Sequence, residues 1–311
     1  MIMNGKKPNF FILGAPKCGT TSLAHWLGRN PYIYMSPQKE PHYYNTDLKY
    51  RHVRSEREYL RLFEDVTRKH IAIGEASVWY LYSREAVTNI LRDIPDAKFI
   101  VCLRNPVDMA YSLHGQMLCS SFENIKDFKS AWEAQAMRVQ NKKIPRRCSE
   151  PRFLLYGPAS SLGRQVSQLF MRTSKSRVLP VFMDDLRDSP LDCYREILQF
   201  LNVPYDGASQ FPVLNRAREQ SYPILHNTIM DLHFSRKRMR LPRTYIGLLF
   251  SPLEKRHLKP SKRRPMEPDM SRKLYSYFED DINKLEQLLD KDLTNWKLDE
   301  NTENPNHAAY Q

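Results

Sequence analysis

Short apolar runs alternate along the chain with segments whose apolar residues recur every three or four positions. The run at 9–13 (NFFIL) ends at a glycine and predicts a buried strand followed by a turn. Residues 20–29 then place Leu23, Trp26 and Leu27 at helical spacing. The chain is therefore predicted to open with a strand, a tight loop and a helix.

The same alternation predicts the rest of the fold. Strands are predicted at 71–74, 99–103 and 178–183, and helices at 84–92, 106–118, 127–140, 159–172, 191–201 and 270–289. Strands that alternate with helices are typical of parallel sheets. We expect one α/β domain over 1–297, with a central parallel sheet flanked by helices. Residues 205–265 lack clean periodicity and are expected to be irregular and to cover substrate and cofactor, while the polar segment 298–311 is expected to be a flexible tail.

Positive charge is concentrated in one segment. The chain has 48 Lys and Arg against 35 Asp and Glu, a formal net charge of +13. Eleven basic residues and one acidic residue, Glu254, lie between Arg236 and Arg264. A phosphorylated cofactor, an anionic acceptor, nucleic acid or a solvated face would each account for this stretch, and charge alone does not choose among them.

The sequence carries few signs of secretion. Its five cysteines form no C-x-x-C pair, there is no N-glycosylation sequon, and no apolar run near the start is long enough for a signal peptide or a membrane span. We therefore expect a cytoplasmic protein that does not enter a membrane. The oligomeric state is left open.

The loop 14–22 (GAPKCGTTS) between the first strand and helix is a candidate anion site. Backbone N–H groups and the helix dipole converge at such a position. An ATP-binding P-loop would read G-x-x-x-x-G-K-[ST], but Lys17 precedes Gly19 and no lysine follows it. The strand at 99–103 is followed by R-N-P and not by the acid that would hold Mg²⁺. We expect an anion site without metal, and a kinase or NTPase is the alternative.

PKCGTTSL (16–23) resembles the 5′-phosphosulfate loop of sulfotransferases that use 3′-phosphoadenosine 5′-phosphosulfate (PAPS). The resemblance implies that Lys17 is a catalytic residue that stabilises charge on the departing phosphate. It also implies that the loop binds the cofactor through Pro16, Lys17, Cys18, Gly19, Thr20, Thr21 and Ser22.

Two further motifs resemble cofactor-binding elements of the same family. LRNP (103–106), with a serine eight residues after the arginine, is similar to the 3′-phosphate motif, which implies that Arg104 and Ser112 grip that phosphate. SKRR (261–264) resembles a basic loop that closes over the nucleotide. That likeness adds three candidate phosphate ligands, although Arg263 replaces the glycine common there: Lys262, Arg263 and Arg264.

KEPHYY (39–44) resembles the K-E-x-H-[FY]-[FY] stretch of the branch that includes the heparan sulfate enzymes. The resemblance implies that Glu40 is the general base, and that His42 is a supporting or alternative base. A carboxylate starting near pKa ~4.3 would be a better base if burial raised its pKa. For His42, a hydrogen-bonded structural role is the alternative.

The acceptor site is assigned more loosely. His42 and Tyr43 are expected to contact the acceptor, and GEASVWY (74–80) resembles a cleft-lining G-E-K-[ST]-P-x-Y segment, which adds Trp79. Ala76 stands where some relatives have a lysine, which argues against a heparan-like acceptor. His114, two residues beyond the predicted phosphate ligand Ser112, is a further candidate that could instead be a packing residue.

The resemblance therefore predicts a sulfotransferase that uses PAPS as co-substrate, releases 3′-phosphoadenosine 5′-phosphate (PAP) and needs no metal. The expected acceptor is a hydroxyl or amine group of a small molecule, as in the tailoring of a secondary metabolite. An oligosaccharide acceptor, an atypical P-loop kinase or NTPase, and a nucleic-acid binder that uses residues 236–264 are the alternatives. We expect neither nucleic acid nor a membrane as a partner.

Overall fold

A five-stranded parallel sheet forms the centre of the molecule. The computed structural model describes residues 7–214, 218–220, 258–260 and 265–297. The strands are β1 (Phe10–Gly14), β2 (Ile33–Met35), β3 (Ala72–Ala76), β4 (Lys98–Leu103) and β5 (Val178–Phe182). Their order is β2-β3-β1-β4-β5, and every neighbouring pair is parallel. The predicted α/β class is confirmed.

Helices flank this sheet. Those that the structure describes are α1 (Thr20–Leu27), α2 (Glu56–Arg61), α3 (Ala86–Asp93), α4 (Pro106–Cys119), α5 (Phe128–Glu133), α6 (Gln135–Val139), α7 (Tyr156–Ser160), α8 (Leu162–Phe170), α9 (Met183–Asp188), α10 (Pro190–Leu201) and α11 (Pro268–Leu289). Short 3₁₀ turns lie at Pro151–Leu154, Lys175–Arg177 and Thr294–Trp296. Two further strands, β6 (Arg218–Gln220) and β7 (Leu258–Pro260), pair antiparallel with each other.

The structure divides two of the predicted helices. Residues 127–140 form α5 and α6, and residues 159–172 are replaced by α7 and α8, which meet at Ser161. The start of α8 is capped from a distant helix, because both carboxylate oxygens of Asp281 on α11 accept 2.8 Å hydrogen bonds, from the N–H groups of Gly163 and Arg164. A long-range cap of this kind leaves no periodic signal in the sequence.

The core lies on both faces of the sheet. The side chains of 10–13 in β1 are fully buried although they alternate in direction, as expected for a central parallel strand. The apolar stripe of α11, with Leu274 and Phe278 at its centre, is buried as its helical spacing predicts. α11 packs mainly on α8.

The strand order brings three loops together at the carboxyl-terminal end of the sheet. From β1 the chain moves to β2 and β3 on one side and then crosses to β4 on the other side. Connections that leave a central strand in opposite directions open a crevice at the carboxyl ends of the strands, where ligands of α/β proteins bind. The segments that follow β1, β3 and β4 therefore meet at this crevice.

Candidate active site

The loop between β1 and α1 presents the N-terminus of α1 at the crevice. Gly14 has φ +135°, and a Cβ at this position would lie 2.3 Å from the carbonyl oxygen of Val78, so a larger residue does not fit. Gly19, at the N-cap of α1, has φ +82°. The first turn of α1 (TTSL) contains no acidic residue. The positive end of the helix at the crevice thus favours a bound anion.

Lys17 and Arg104 are brought together from the ends of β1 and β4. The carbonyl oxygen of Lys17 accepts a 3.3 Å hydrogen bond from Nη1 of Arg104. Nζ of Lys17 donates to Oε1 of Gln116 on α4, also at 3.3 Å. Gln116 was not singled out from the sequence, but it lies one helical turn beyond the buried Ser112, and that spacing was the available signal.

Arg104 lies directly after β4, at the start of α4. The Asn105 side chain caps this helix by accepting a 2.9 Å hydrogen bond from the N–H of Val107. Nη2 of Arg104 is 3.7 Å from the carboxylate of Asp108. Burial raises the pKa of Asp108, and the nearby guanidinium acts in the opposite direction. The cap and the ion pair hold the guanidinium at the edge of the crevice.

The side chain of Cys18 is buried, so only its backbone can contact a ligand in the crevice. Its side chain is fully buried, with Sγ 3.4 Å from the carbonyl oxygen of Pro16 and 3.9 Å from Sδ of Met109. Burial raises the pKa of the thiol to about 12, so a thiolate does not form near neutral pH.

The hydroxyl residues of the loop differ in their surroundings. Thr20 is buried and Thr21 is partly exposed. The hydroxyl of Ser22 is engaged with the backbone of Leu214, whose N–H donates to Oγ at 2.9 Å and whose carbonyl oxygen accepts from Oγ at 3.4 Å. Ser22 would have to exchange these partners in order to bind a phosphate through its side chain.

Glu40 is attached to the end of β3, and its carboxyl group lies against Lys39 and His42. Its N–H donates to the carbonyl oxygen of Ala76 at 2.9 Å, and Oε1 lies 2.7 Å from Nζ of Lys39. Burial acts to raise the pKa of Glu40, but the contacts with His42 and Lys39 outweigh it and hold the pKa well below its ordinary value. The direction is opposite to the rise that would favour a general base.

His42 lies beside Glu40 with a fully buried ring. Its Nε2 is 3.5 Å from Oε2 of Glu40, and the ring packs 5.4 Å from that of Tyr50. Within the described part of the chain, neither ring nitrogen has a hydrogen-bond partner of good geometry. Buried polar atoms of this kind are rare in proteins, and they mark the His42 ring as a candidate contact for a ligand.

Glu75, the acid of the GEASVWY segment, has a role that the sequence did not predict. Glu75 on β3 is fully buried. Its Oε2 accepts hydrogen bonds from the hydroxyls of Tyr59 (2.7 Å) and Tyr80 (3.2 Å), and its Oε1 accepts one from Ser77 (2.5 Å). Burial raises the pKa of Glu75 to about 7, against the effect of the three hydroxyl donors. The sequence signal that could have drawn attention to Glu75 is an acidic residue in a buried strand just before a segment rich in tyrosine.

A model of the sulfotransferase domain matches residues 7–291. The chain belongs to this family. The resemblance read from the motifs is thereby confirmed, and the class of enzyme that it predicted, a sulfotransferase, is that of the family.

Similar sulfotransferases come from several kingdoms. The sulfotransferase from Alicyclobacillus acidocaldarius has a solved structure that is 25% identical, with a TM-score of 0.69 over 94% of this chain and 99% of that chain. The membrane-associated sulfotransferase kil1 of Dictyostelium discoideum is 31% identical over 107 residues, which are 34% of this chain and 22% of kil1. Carbohydrate sulfotransferase 15 of Rattus norvegicus is 31% identical over 148 residues, or 34% of this chain and 26% of that protein. The chain thus spans about a quarter of the length of the last two relatives.

Two of the predicted acceptor contacts are packed inside the protein. Trp79 is 4% exposed and stacks on Phe153 at 3.7 Å. His114 is 3% exposed, and its Nε2 lies 2.9 Å from the carbonyl oxygen of Ile125. The alternative for His114, a packing residue, agrees with this position.

Tyr43 is the more accessible of the predicted aromatic contacts. It is partly exposed and stacks on Tyr59 at 4.4 Å. It also lines a cavity of about 380 Å³ together with Arg51, Arg54 and Arg92. A small molecule fits a cavity of this volume.

Some predicted ligands and segments fall on parts of the chain that the structure does not describe. Lys262, Arg263 and Arg264, most of 205–265 and the tail 298–311 lie outside the described residues. Among the residues that are described, no helix combines the length and the apolar composition needed to cross a membrane.

Proposed function

We propose that this sulfotransferase moves the sulfuryl group of PAPS to a hydroxyl or amine group of a small-molecule acceptor. One observation carries the proposal. The loops after β1 and β4 place Lys17 and Arg104 in contact at the carboxyl ends of these strands. At the same end of the sheet, the backbone N–H of Glu40 is bound to the last residue of β3. Two cationic side chains and a carboxyl group thus lie at the carboxyl ends of three neighbouring strands, which supports a site for phosphates and proton transfer there.

The cofactor would bind across the two loops. The N–H groups at the start of α1, with Thr20 and Thr21, would hold the 5′-phosphate, because the helix terminus favours negative charge. Arg104 would hold the 3′-phosphate with its planar fork of N–H donors, with Ser112 on the adjoining helix. Residues 262–264 would add further cations.

The chain's own residues supply the charge stabilisation and the proton transfer. PAPS, when bound, supplies a sulfuryl group whose bond to the phosphate oxygen breaks, and the electron pair leaves with that oxygen. The ammonium of Lys17 stabilises the charge there. The acceptor oxygen or nitrogen forms the new bond to sulfur, and its proton passes to the carboxylate of Glu40. His42 Nε2, 3.5 Å from Glu40, can relay this proton.

The acceptor class has two candidates. A small, uncharged acceptor is supported by Ala76, which stands at the end of β3 where some relatives have a lysine. An oligosaccharide is the second candidate, because two similar proteins are named carbohydrate sulfotransferase 15 and heparan sulfate N-deacetylase/N-sulfotransferase 3; the second of these, from Mus musculus, is 26% identical over 216 residues.

Cofactor binding is tested by calorimetric titration with PAP, and separately with ATP and Mg²⁺, in buffer with and without EDTA. PAP should bind in the presence of EDTA, and Lys17→Ala should lower turnover by a larger factor than it lowers PAP affinity. Lys175→Ala is the matched control, because Lys175 lies just before β5, at the amino-terminal end of the strands and therefore away from the crevice. A preference for ATP with Mg²⁺ would instead support the kinase alternative.

Turnover is tested by PAP release from PAPS with panels of small alcohols, phenols, amines and oligosaccharides. Glu40→Gln and Lys17→Ala should each lower kcat by about 10²-fold or more, as for the loss of a base or an electrostatic stabiliser. Wild-type rates in Glu40→Gln, together with loss of activity in His42→Asn, would transfer the role of base to His42.

A further inference from the structure

The segment that carries the candidate acid–base pair has a strained backbone. Glu40 has φ +60° and His42 has φ +51°. Residues other than glycine rarely adopt this left-handed conformation, which persists when surrounding contacts hold it in place. The contacts that hold residues 40–44 therefore decide where the Glu40 and His42 side chains lie.

Two buried hydroxyls hold this segment by its backbone. Oγ of Ser77 accepts a 3.1 Å hydrogen bond from the N–H of His42. The hydroxyl of Tyr80 accepts from the N–H groups of Tyr43 and Tyr44, at 2.9 and 3.1 Å. Three consecutive N–H groups are thus bound to side chains of the loop that follows β3.

Both of these hydroxyls donate their protons to Glu75. Each hydroxyl has one proton and two lone pairs. With the proton of Ser77 directed at Oε1 of Glu75 and that of Tyr80 at Oε2, the lone pairs face the N–H groups of the segment. Burial raises the pKa of Tyr80 well above its ordinary value, so this hydroxyl keeps its proton.

We propose that Glu75 is a positioning residue of the active site, which orients the Ser77 and Tyr80 hydroxyls and through them holds Glu40 and His42 in the strained turn. The proposal rests on the proposed function, in which this pair carries the proton transfer. Glu75 itself is fully buried on β3 and acts through these hydroxyls.

The structure supplies a matched pair of tyrosines. Tyr59 and Tyr80 are both fully buried, and both donate to Oε2 of Glu75. Tyr80 differs from Tyr59 in that its hydroxyl also accepts the hydrogen bonds from the N–H groups of Tyr43 and Tyr44. Removing either hydroxyl takes one donor from the same carboxylate, but Tyr80→Phe also releases the segment.

The test compares Glu75→Gln, Tyr80→Phe and Tyr59→Phe with the wild-type protein. An amide accepts hydrogen bonds at one atom only, so Glu75→Gln forces at least one of the three hydroxyls to reverse. Amide hydrogen exchange of a peptide covering 40–46 reports on the segment without any substrate. PAP affinity, and kcat with KM on an accepted substrate, report on the site, and near-ultraviolet circular dichroism checks the fold.

In Glu75→Gln and Tyr80→Phe, exchange of the 40–46 peptide should rise and kcat should fall by about tenfold or more, the scale of a lost buried hydrogen bond. PAP affinity should stay within about threefold, because the cofactor loops lie on other strands. Tyr59→Phe should leave exchange and kcat near the wild-type values.

Equal effects of Tyr59→Phe and Tyr80→Phe, or unchanged exchange in Glu75→Gln, would overturn the positioning role and leave a purely structural one. If Glu75→Gln does not fold, the two tyrosine variants decide the same question. Failure of the wild-type protein to bind PAP would overturn the proposed function, and the exchange result would still decide whether Glu75 holds the segment.

Discussion

Replacing Glu75 with glutamine is expected to change how the stability of the protein depends on pH. Burial raises the pKa of Glu75 from its ordinary value of 4.5 to about 7 in the folded protein. Between these two values the folded state binds a proton that the unfolded state has released. Stability supplied by this group is therefore present at low pH and is lost as the pH rises toward 7. Glutamine does not titrate and lacks this loss.

The size of the effect follows from the two pKa values. A carboxyl group raised from 4.5 to about 7 destabilises the folded state, once ionised, by about 3 kcal/mol relative to its protonated form. Most of this change falls between pH 5 and pH 8. The free energy of unfolding of Glu75→Gln, relative to wild type, should therefore rise by about 2–3 kcal/mol over that range.

Urea titrations of both proteins, followed by tryptophan fluorescence at several pH values from 5 to 8, measure this difference. Glu286→Gln is the control, because contacts with the Lys297 ammonium and the N–H of Leu293 hold the pKa of Glu286 below its ordinary value. The Glu286 carboxyl is ionised in both states over most of this range, so its substitution should shift stability by a nearly constant amount. A difference between Glu75→Gln and wild type that stays constant from pH 5 to pH 8 would refute the burial argument for Glu75.

Three further outcomes are expected. Arg104→Ala should weaken PAP binding by about tenfold or more in calorimetry, because a charge-assisted contact is lost, and unchanged affinity would argue against a phosphate-binding role. Arg138→Met should lower the free energy of unfolding in urea by about 3–5 kcal/mol, because Arg138 is fully buried 2.7 Å from the equally buried Glu123, and replacing Glu123 by Gln in the same protein should recover part of the loss. Gly163→Ala should lower the free energy of unfolding by about 3 kcal/mol in the same assay, because its Cβ would lie 2.1 Å from the Asp281 carbonyl oxygen. Gly157→Ala is the control, since its Cβ would meet only the movable Tyr277 side chain. Equal losses in the two variants would contradict this explanation.

Local pattern was sufficient for much of the fold. The apolar runs at 99–103 and 178–183 predicted β4 and β5 to within one residue at either end, because each strand is a short continuous run of mostly apolar residues. Short elements were missed: β2 has three residues and α2 has six, which is too few to show a period.

The motifs alone also predicted the phosphate loop and its family. Residues 14–22 place glycines at two of their three positions of positive φ, the third being Lys17, with a strand before and a helix after, so the local sequence carries much of the geometry of the loop. The family match over 7–291 confirms that resemblance.

The tertiary structure decided the electrostatics of the site. The sequence contains Glu40 and Glu75 as two similar carboxylates, but packing sets their pKa values in opposite directions. Glu40 lies against an ammonium and an imidazole, whereas Glu75 lies among buried hydroxyls. Likewise, Trp79 was predicted from a motif as an acceptor contact and His114 was a candidate contact or a packing residue, and packing buries both side chains. A motif specifies residue types and spacing along the chain, whereas solvation and charge depend on neighbours that are distant in sequence, such as Tyr59 for Glu75.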